Sequence, residues 1–301
     1  MEDFKSGFVT LVGRTNVGKS TLLNSLVKEK VAITTNKVQT TRTAIKAIIN
    51  DEKYQIIITD TPGIHKPKTK LGETMIETAF TSLKDVDAVL FLIEADSKEV
   101  GRGDSRILEK IKESKKPCIL VINKTDLVGK DEILKTISLY KDEYNFSGIV
   151  PVSADKKEGL NELIKEILKI LPNGPKYYAD DEYTDQTMRQ MVEETIREKA
   201  LKLLDQEVPH GIYVEVNSFK DRKTTKGQDI YDIDATIYCL RESHKGIIIG
   251  KNGAMLKRIA SYARTDLEKQ FGTKINLKIW VKVKEDWQEK DNIVKKFRVN
   301  D

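Results

Sequence analysis

The sequence predicts a mostly parallel, doubly wound α/β domain over residues 1–172, a linker over 173–186 and an α+β domain over 187–301. Three observations carry this reading. Short β-branched runs alternate with amphipathic stretches through the first half, the pattern of strands buried on both faces and of helices that cover them. Pro172-Asn173-Gly174-Pro175 then stops the last helical stretch and opens a polar, acidic run to about Thr187. Beyond it the order changes to helix, strand, strand, helix, helix, strand. A chain of 301 residues also exceeds what most single cores support.

In the first domain the apolar runs at 8–12, 55–59, 88–93, 118–123 and 148–152 read as parallel strands. Between them, 19–28, 72–83, 104–114, 131–144 and 160–171 have helical spacing. Residues 44–50, followed by Asp51-Glu52-Lys53, form a hairpin with the strand at 55 and add one antiparallel edge. In the second domain 187–204 reads as a helix, 213–220 and 229–240 as strands, and 254–271 and 274–283 as a helix and a strand. A short apolar helix ending at Ile249 precedes a glycine turn.

Composition narrows the class. With 39% hydrophobic and 33% charged residues the chain suits a globular protein with a sizeable core, and no apolar run reaches the roughly 18 residues of a membrane span. Met1-Glu2-Asp3-Phe4-Lys5 is acidic and lacks the apolar region of a secretory signal. Cys118 and Cys239 read as buried free thiols of a reducing compartment, so a cytoplasmic protein is expected. His65, His210 and His244 are scattered and give no zinc-ligand spacing. The net charge of +5 is uneven: residues 241–284 hold eleven Lys or Arg against three Asp or Glu, a net +8, while the rest sums to −3. A charge run by itself is as often a solvated face as a binding surface.

Gly13-Arg14-Thr15-Asn16-Val17-Gly18-Lys19-Ser20, followed by Thr21, fits the phosphate-binding loop pattern, and it lies between a strand and a helix as that mechanism requires. Its glycines let backbone N–H groups wrap phosphates at a helix N-terminus. Lys19 supplies charge to the β- and γ-phosphates, and Ser20 a hydroxyl for Mg²⁺. Asp60-Thr61-Pro62-Gly63, at a strand end, places a carboxylate for Mg²⁺ and the Gly63 N–H for the γ-phosphate. Alone it would be an ordinary turn. Thr41, in Thr40-Thr41-Arg42, is the second hydroxyl expected on Mg²⁺. In Asn123-Lys124-Thr125-Asp126 the Asp126 carboxylate accepts from guanine N1–H and N2–H₂ together, a pairing adenine cannot offer. Lys124 can lie over the base and Asn123 can tie loops together, while Ser153-Ala154 offers a backbone N–H to guanine O6. The five segments in this order imply GTP and GDP as ligands. Lys19, Thr41 and Gly63 are then the residues that act on the transferred phosphate.

These segments resemble the translation-factor class of small GTPase domains. The stretches 13–21, Gln39-Thr40-Thr41-Arg42 and Asp60-Thr61-Pro62-Gly63-Ile64-His65 resemble the Era family more closely, although Thr15 and Val38 replace frequent prolines. Asp155 stands where Ras-like proteins carry lysine, which should loosen the guanine grip slightly. Ile64 occupies the position of their water-orienting glutamine and cannot orient water, so slow hydrolysis is expected. The resemblance links Asn16 to a K⁺ ion that supplements the charge at the phosphates; the alternative is that Asn16 only satisfies loop backbone.

Gly250-Lys251-Asn252-Gly253 lies between two helices. A GxxG alone is more often a plain helix turn, but an apolar run precedes it and the +8 cluster surrounds it. With the α-β-β-α-α-β order this is the type II KH arrangement, which clamps about four single-stranded nucleotides. Lys245, Lys251, Asn252, Lys257 and Arg258, with Gly250 and Gly253, are the expected RNA contacts, and Lys274 is a further candidate. Ile247, Ile248 and Ile249 read as core. The Era resemblance now spans most of the chain. It implies a monomeric bacterial GTPase that binds 16S ribosomal RNA near its 3′ end and assists maturation of the small ribosomal subunit. Peripheral membrane contact is an association of that family, left open here because the sequence shows no anchor. Residues from Trp287 onward roughly follow the family's final helix. A phosphate-loop kinase would lack Asn123–Asp126, and a double-GTPase factor would need a second phosphate loop.

Overall fold

The computed structural model describes residues 4–35, 37, 40–64, 67–223 and 227–297. Val38, Gln39, His65 and the tail residues Arg298 and Val299 lie outside them. The chain divides into two units: one runs through Asp185 and takes back the segment from Lys295, and the other is Gln186–Val294.

The first unit has strands β1 (Lys5–Gly13), β2 (Ile45–Asn50), β3 (Tyr54–Asp60), β4 (Ala88–Glu94), β5 (Cys118–Asn123) and β6 (Gly148–Pro151). They form one sheet in the order β2-β3-β1-β4-β5-β6, parallel except for β2. Helices α1 (Lys19–Val27) and α5 (Leu160–Ile170) cover one face; α2 (Lys70–Thr81), α3 (Arg102–Ser114) and α4 (Lys130–Tyr140) cover the other. Alternation along each strand sorts the core. Leu90 and Leu92 of β4 with Ile119 and Val121 of β5 meet Leu22, Leu26, Leu163 and Ile167. Val89, Phe91, Leu120 and Ile122 meet Ala79, Ile107, Ile111 and Tyr140. Because both faces are buried, the strands read as continuous apolar runs.

The second unit comprises α6 (Met188–Leu203), β7 (Tyr213–Lys223), β8 (Asp229–Cys239), α7 (Glu242–Ile249), α8 (Ala254–Phe271) and β9 (Lys274–Val283). Its sheet runs β7-β8-β9, with β7 antiparallel and β9 parallel to β8. The three helices bury Val192, Ile196, Ile248, Ile259, Ala263 and Leu267 against Ile233, Ala235 and Ile237 on one face of that sheet. A capping box of Thr187 and Gln190 opens α6 by satisfying its first amides.

Two sequence expectations are corrected. Residues 173–186 are not a free linker but a strap along the outer edge of the first unit. Ile48 N–H donates to Tyr183 O at 3.0 Å, and Thr184 Oγ1 donates to Lys46 O at 2.8 Å. The buried Gln55 amide fixes the strap: Oε1 accepts from the Tyr177 and Tyr178 N–H groups at 2.7 and 3.0 Å. Nε2 donates to Tyr178 O at 2.9 Å and to Asn50 Oδ1 at 2.6 Å. The stretch has the composition of a linker, yet its backbone groups pair with an otherwise open edge strand. The second correction concerns the chain end, which is no continuous helix. A 3-10 turn at Trp287–Glu289 gives way to an extended Lys290, then to α9 (Asp291–Val294) and a further 3-10 turn at Lys295–Phe297, which groups with the first unit.

Gln55→Leu keeps the bulk but leaves two strap amides without an acceptor, each worth about 1–3 kcal/mol when buried. Limited proteolysis should cut residues 176–182 faster in the variant than in the wild type, with a lower urea midpoint for the first unit; unchanged cleavage would refute the strap's dependence on Gln55.

Candidate nucleotide and nucleic-acid sites

Parallel strands deliver their C-terminal ends to one side of a sheet, the side where α/β folds bind ligands. Here β1 ends at Gly13, β3 at Asp60, β5 at Asn123 and β6 at Pro151, and all four expected loops follow these ends. A cleft of about 300 Å³ opens among them, lined by Thr15, Asn16, Gly18, Lys19, Ser20 and Thr21 of the phosphate loop, by Thr40, Thr41 and Gly63, and by Lys124. Helix α1 begins directly after Gly18 with no side-chain cap, leaving its first amides for an anion. Gly18 has φ +96°, and a Cβ there would run into Asn123 Nδ2, so a side chain is excluded twice over.

The phosphate end is built around Lys19. Its Nζ donates to Gly13 O at 3.0 Å and to Arg14 O at 2.8 Å. Burial lowers the Lys19 pKa to about 8 against the pull of Asp60. Burial likewise pushes the Asp60 carboxyl up, offset by Lys19 and by hydrogen bonds from Ser20, Thr41 and Thr61. The three expected Mg²⁺ ligands converge: Ser20 Oγ lies 2.7 Å and Thr41 Oγ1 3.1 Å from Asp60 Oδ2, and the two hydroxyls are 2.9 Å apart. Asp60 Oδ1 is buried without a hydrogen-bond partner. Two hydroxyls and a carboxylate, all oxygen donors, fit a hard divalent cation. Asn16 takes φ +67° on the cleft wall.

Gly63 packs on the phosphate loop so closely that a Cβ would lie 2.7 Å from Thr15 Cγ2. Thr61 Oγ1 donates to Leu11 O at 2.6 Å, and Pro62 completes this buried turn. Ile64 is core: its N–H donates to Gly13 O at 3.2 Å, and the side chain is buried among Val12, Phe91 and Leu108. Val17 is buried beneath the loop.

At the base end Asn123 Nδ2 donates to Val17 O at 2.9 Å, and Asn123 Oδ1 accepts from the Ala154 N–H at 3.0 Å. Thr125 N–H donates to Val152 O at 3.2 Å, and Asp126 Oδ1 accepts from Ser153 Oγ at 2.6 Å. The expectation that Ser153-Ala154 presents a free amide is therefore corrected. Ala154 gives its N–H to Asn123 and Ser153 gives its own to Glu158 O at 3.1 Å, because a buried donor takes an internal acceptor.

Sequence reasoning missed two residues, neither of which stands in a recognisable motif. Glu94, at the end of β4, pairs with Lys124. Asp104, fully buried in the first turn of α3, lies 3.1 Å from Arg14 Nε and accepts from Tyr140 Oη at 2.9 Å. Burial raises the Asp104 carboxyl, and Tyr140 and Arg14 offset the rise. Arg14 is thus anchored by its guanidinium to α3 while its carbonyl faces Lys19.

In the second unit α7 ends at Gly250 and α8 starts after Gly253, again without a side-chain cap. Asn252 and Gly253 take φ +51° and +77°, which turn the chain sharply between the helices. Lys251, Asn252, Lys257 and Arg258 are exposed. Lys245 is half-buried and pairs with Glu242 at 3.6 Å. Ile248 is core as expected, but Ile247 is 50% exposed.

The comparisons with known proteins agree with this division. The 50S ribosome-binding GTPase family matches residues 8–124 and the KH domain family residues 207–288. The GTPase Era of Caldanaerobacter subterraneus subsp. tengcongensis is 53% identical over 294 residues, covering 98% of this chain and 97% of that protein. This chain belongs to the Era family of GTPases. The Era of Clostridioides difficile is 51% identical over 299 residues, 99% of each chain. Among solved structures, a point variant of Aquifex aeolicus Era bound to GDP and AlF₄⁻ is 40% identical with a TM-score of 0.93, covering 98% of this chain and 99% of that one. An Era in complex with MgGDPNP and nucleotides 1506–1542 of 16S ribosomal RNA has the same identity and TM-score, with 98% of each chain covered. As an Era-family GTPase, the chain carries a phosphate-loop GTPase domain followed by a KH domain. Among the described residues no helix is long and apolar enough to cross a membrane.

If Asp104 positions the phosphate loop through Arg14, Asp104→Asn and Arg14→Ala should each weaken GDP binding by roughly tenfold, about 1.4 kcal/mol. The double variant should be no weaker than the weaker single one, since both remove the same anchor. Titration with a fluorescent GDP gives the cycle, and additive losses would show that the two residues act independently.

Proposed function

We propose that the chain is a GTP-driven switch that binds 16S ribosomal RNA near its 3′ end and assists maturation of the small ribosomal subunit in the cytoplasm. One observation carries this reading: the Era crystallised with MgGDPNP and 16S nucleotides 1506–1542 matches 98% of the chain at a TM-score of 0.93. The residues supply the chemistry. Ser20, Thr41 and Asp60 would hold Mg²⁺, which would supply positive charge against the phosphates. Lys19 would add a second positive charge, and the Gly63 N–H would donate to the γ-phosphate. Arg14, Thr15, Val17 and Thr21 shape the loop around the phosphates. Asp126, with Lys124 and Thr125, reads guanine. Ile64 sits in the core, so its position supplies no group to orient the attacking water, and the resting rate is slow. Asn16 would hold K⁺, which supplies further charge at the phosphates.

On the RNA side the Gly250–Gly253 turn admits a sugar–phosphate backbone, and the positive N-terminal end of α8 with Lys251, Asn252, Lys257 and Arg258 attracts phosphate. Lys245 joins them by leaving Glu242. The γ-phosphate orders the Thr41 and Gly63 loops, a two-state element, and linkage makes RNA and GTP alter each other's affinity by one common factor.

Exchanging K⁺ for Na⁺ at fixed ionic strength should slow phosphate release by roughly tenfold, equivalent to about 1.4 kcal/mol in the barrier. Equal rates would leave Asn16 as loop scaffold alone.

Gly253→Asp tests the RNA reading directly. A Cβ at Gly253 meets nothing within 4 Å, so the variant fits sterically, at the cost of a strained φ. Its carboxylate enters the phosphate track. Affinity for single-stranded 16S 3′-end RNA should fall by roughly 100-fold, about 2.7 kcal/mol, with GTP affinity unchanged. RNA binding at the wild-type level would remove the KH assignment of this turn.

A further inference from the structure

Strand β9 alternates cleanly. Ile275, Leu277, Ile279, Val281 and Val283 face the helices and join the core. The opposite face presents Lys274, Asn276, Lys278, Trp280 and Lys282. On a solvent-facing row of this kind period-two patterning calls for polar residues, and four of the five are polar. The fifth is a tryptophan, 59% exposed. Nearby aromatics are occupied: Tyr213 stacks on Tyr238 with ring centroids 4.7 Å apart and also meets the buried Trp287. Trp280 takes part in no ring contact among the described residues.

We propose that Trp280 is a stacking platform for a base of single-stranded RNA, an extension of the KH site onto the outer face of the sheet. The proposal rests on the RNA reading above. Lys278 and Lys282 lie on the same face, each about 7 Å from Trp280 along the strand, so cations flank the ring on both sides. Across the sheet Trp280 pairs with Thr236, whose hydroxyl already accepts from Asn217, and no carboxylate lies directly opposite. The acids facing this row are Asp234, opposite Lys278, and Glu215, one strand further on beyond Thr236. Asp232 is held by Arg222 and Asn276. A single ring among lysines suits a nucleobase between two phosphates, whereas a protein partner would require a wider apolar patch. Continuity with the KH site supports the same occupant. Helices α7 and α8, which bracket the Gly250–Gly253 turn, both pack on β9, and β9 is an edge strand of its sheet. An RNA strand that left the turn across that edge would come onto the face that carries Trp280. Stacking on an aromatic face carries no base preference, so this position adds affinity and length without adding a sequence requirement.

The two tryptophans make the test direct, because Trp287 is fully buried and Trp280 is exposed. The full-length protein is titrated with a four-nucleotide single strand, the length a KH groove holds, and with one of about twelve nucleotides. The longer strand should quench tryptophan fluorescence. Trp280→Ala should abolish the quench and weaken the longer strand by about 5- to 150-fold, Trp280→Phe should lose less, and the four-nucleotide affinity should stay the same. Wild-type affinity of Trp280→Ala for the longer strand overturns the proposal and leaves the KH site standing. Loss of small-subunit binding with unchanged RNA affinity overturns it in favour of a protein partner. Failure of the wild type to bind either strand overturns the RNA reading itself.

Discussion

The Asn123 carboxamide holds three loops with two hydrogen bonds. Its nitrogen donates to the carbonyl of Val17 in the phosphate loop, and its oxygen accepts the amide of Ala154 after β6. The side chain is 2% exposed, and a buried amide left half-satisfied costs about 1–3 kcal/mol, so the three loops are fixed together or not at all. Gly18 exists in this form because Asn123 occupies the space a side chain would need. The phosphate loop and the loops after β5 and β6 are therefore one rigid construction. Ser25 Oγ, which donates to Ala154 O at 2.7 Å, ties α1 into it as well.

Much of this was legible because each part leaves a local trace. Strands buried on both faces appear as unbroken apolar runs, and β5 and α8 start and stop where their patterning does. Ser20 and Asp60 could be proposed for Mg²⁺ because they stand at fixed offsets from the phosphate loop and from a strand end, and the structure brings them within hydrogen-bond distance of each other. Asp104 and Glu94 left no trace, since an acidic residue in a helix's first turn or at a strand end is ordinary and its burial is decided by distant neighbours. The strap over β2 was hidden for the opposite reason. Its polar and acidic residues look like solvent-exposed linker, while its backbone is what pairs. The final segment departs from a helix because Asp286 turns left-handed and Lys290 is extended, and neither choice is written in residue type.

The second unit concentrates its cations on α7, α8 and β9, but their environments differ. Lys245 pairs with Glu242 and Lys274 with Glu268, so each of these cations has a carboxylate beside it. Lys251, Lys257 and Arg258 are exposed beside the turn and keep their charge available to a polyanion.

The strap has a consequence for dissecting the molecule. The last helix of the sheet layer ends at Ile170, and a cut just beyond it looks natural. Such a fragment would lose the backbone that pairs with Ile48 and the partners of the Gln55 amide. Strand β2 would then present a bare row of donors and acceptors, a template on which another copy can add a strand. A fragment carried to Asp185 keeps its own edge covered. The boundary that keeps β2 covered in a GTPase fragment thus lies at the end of the strap.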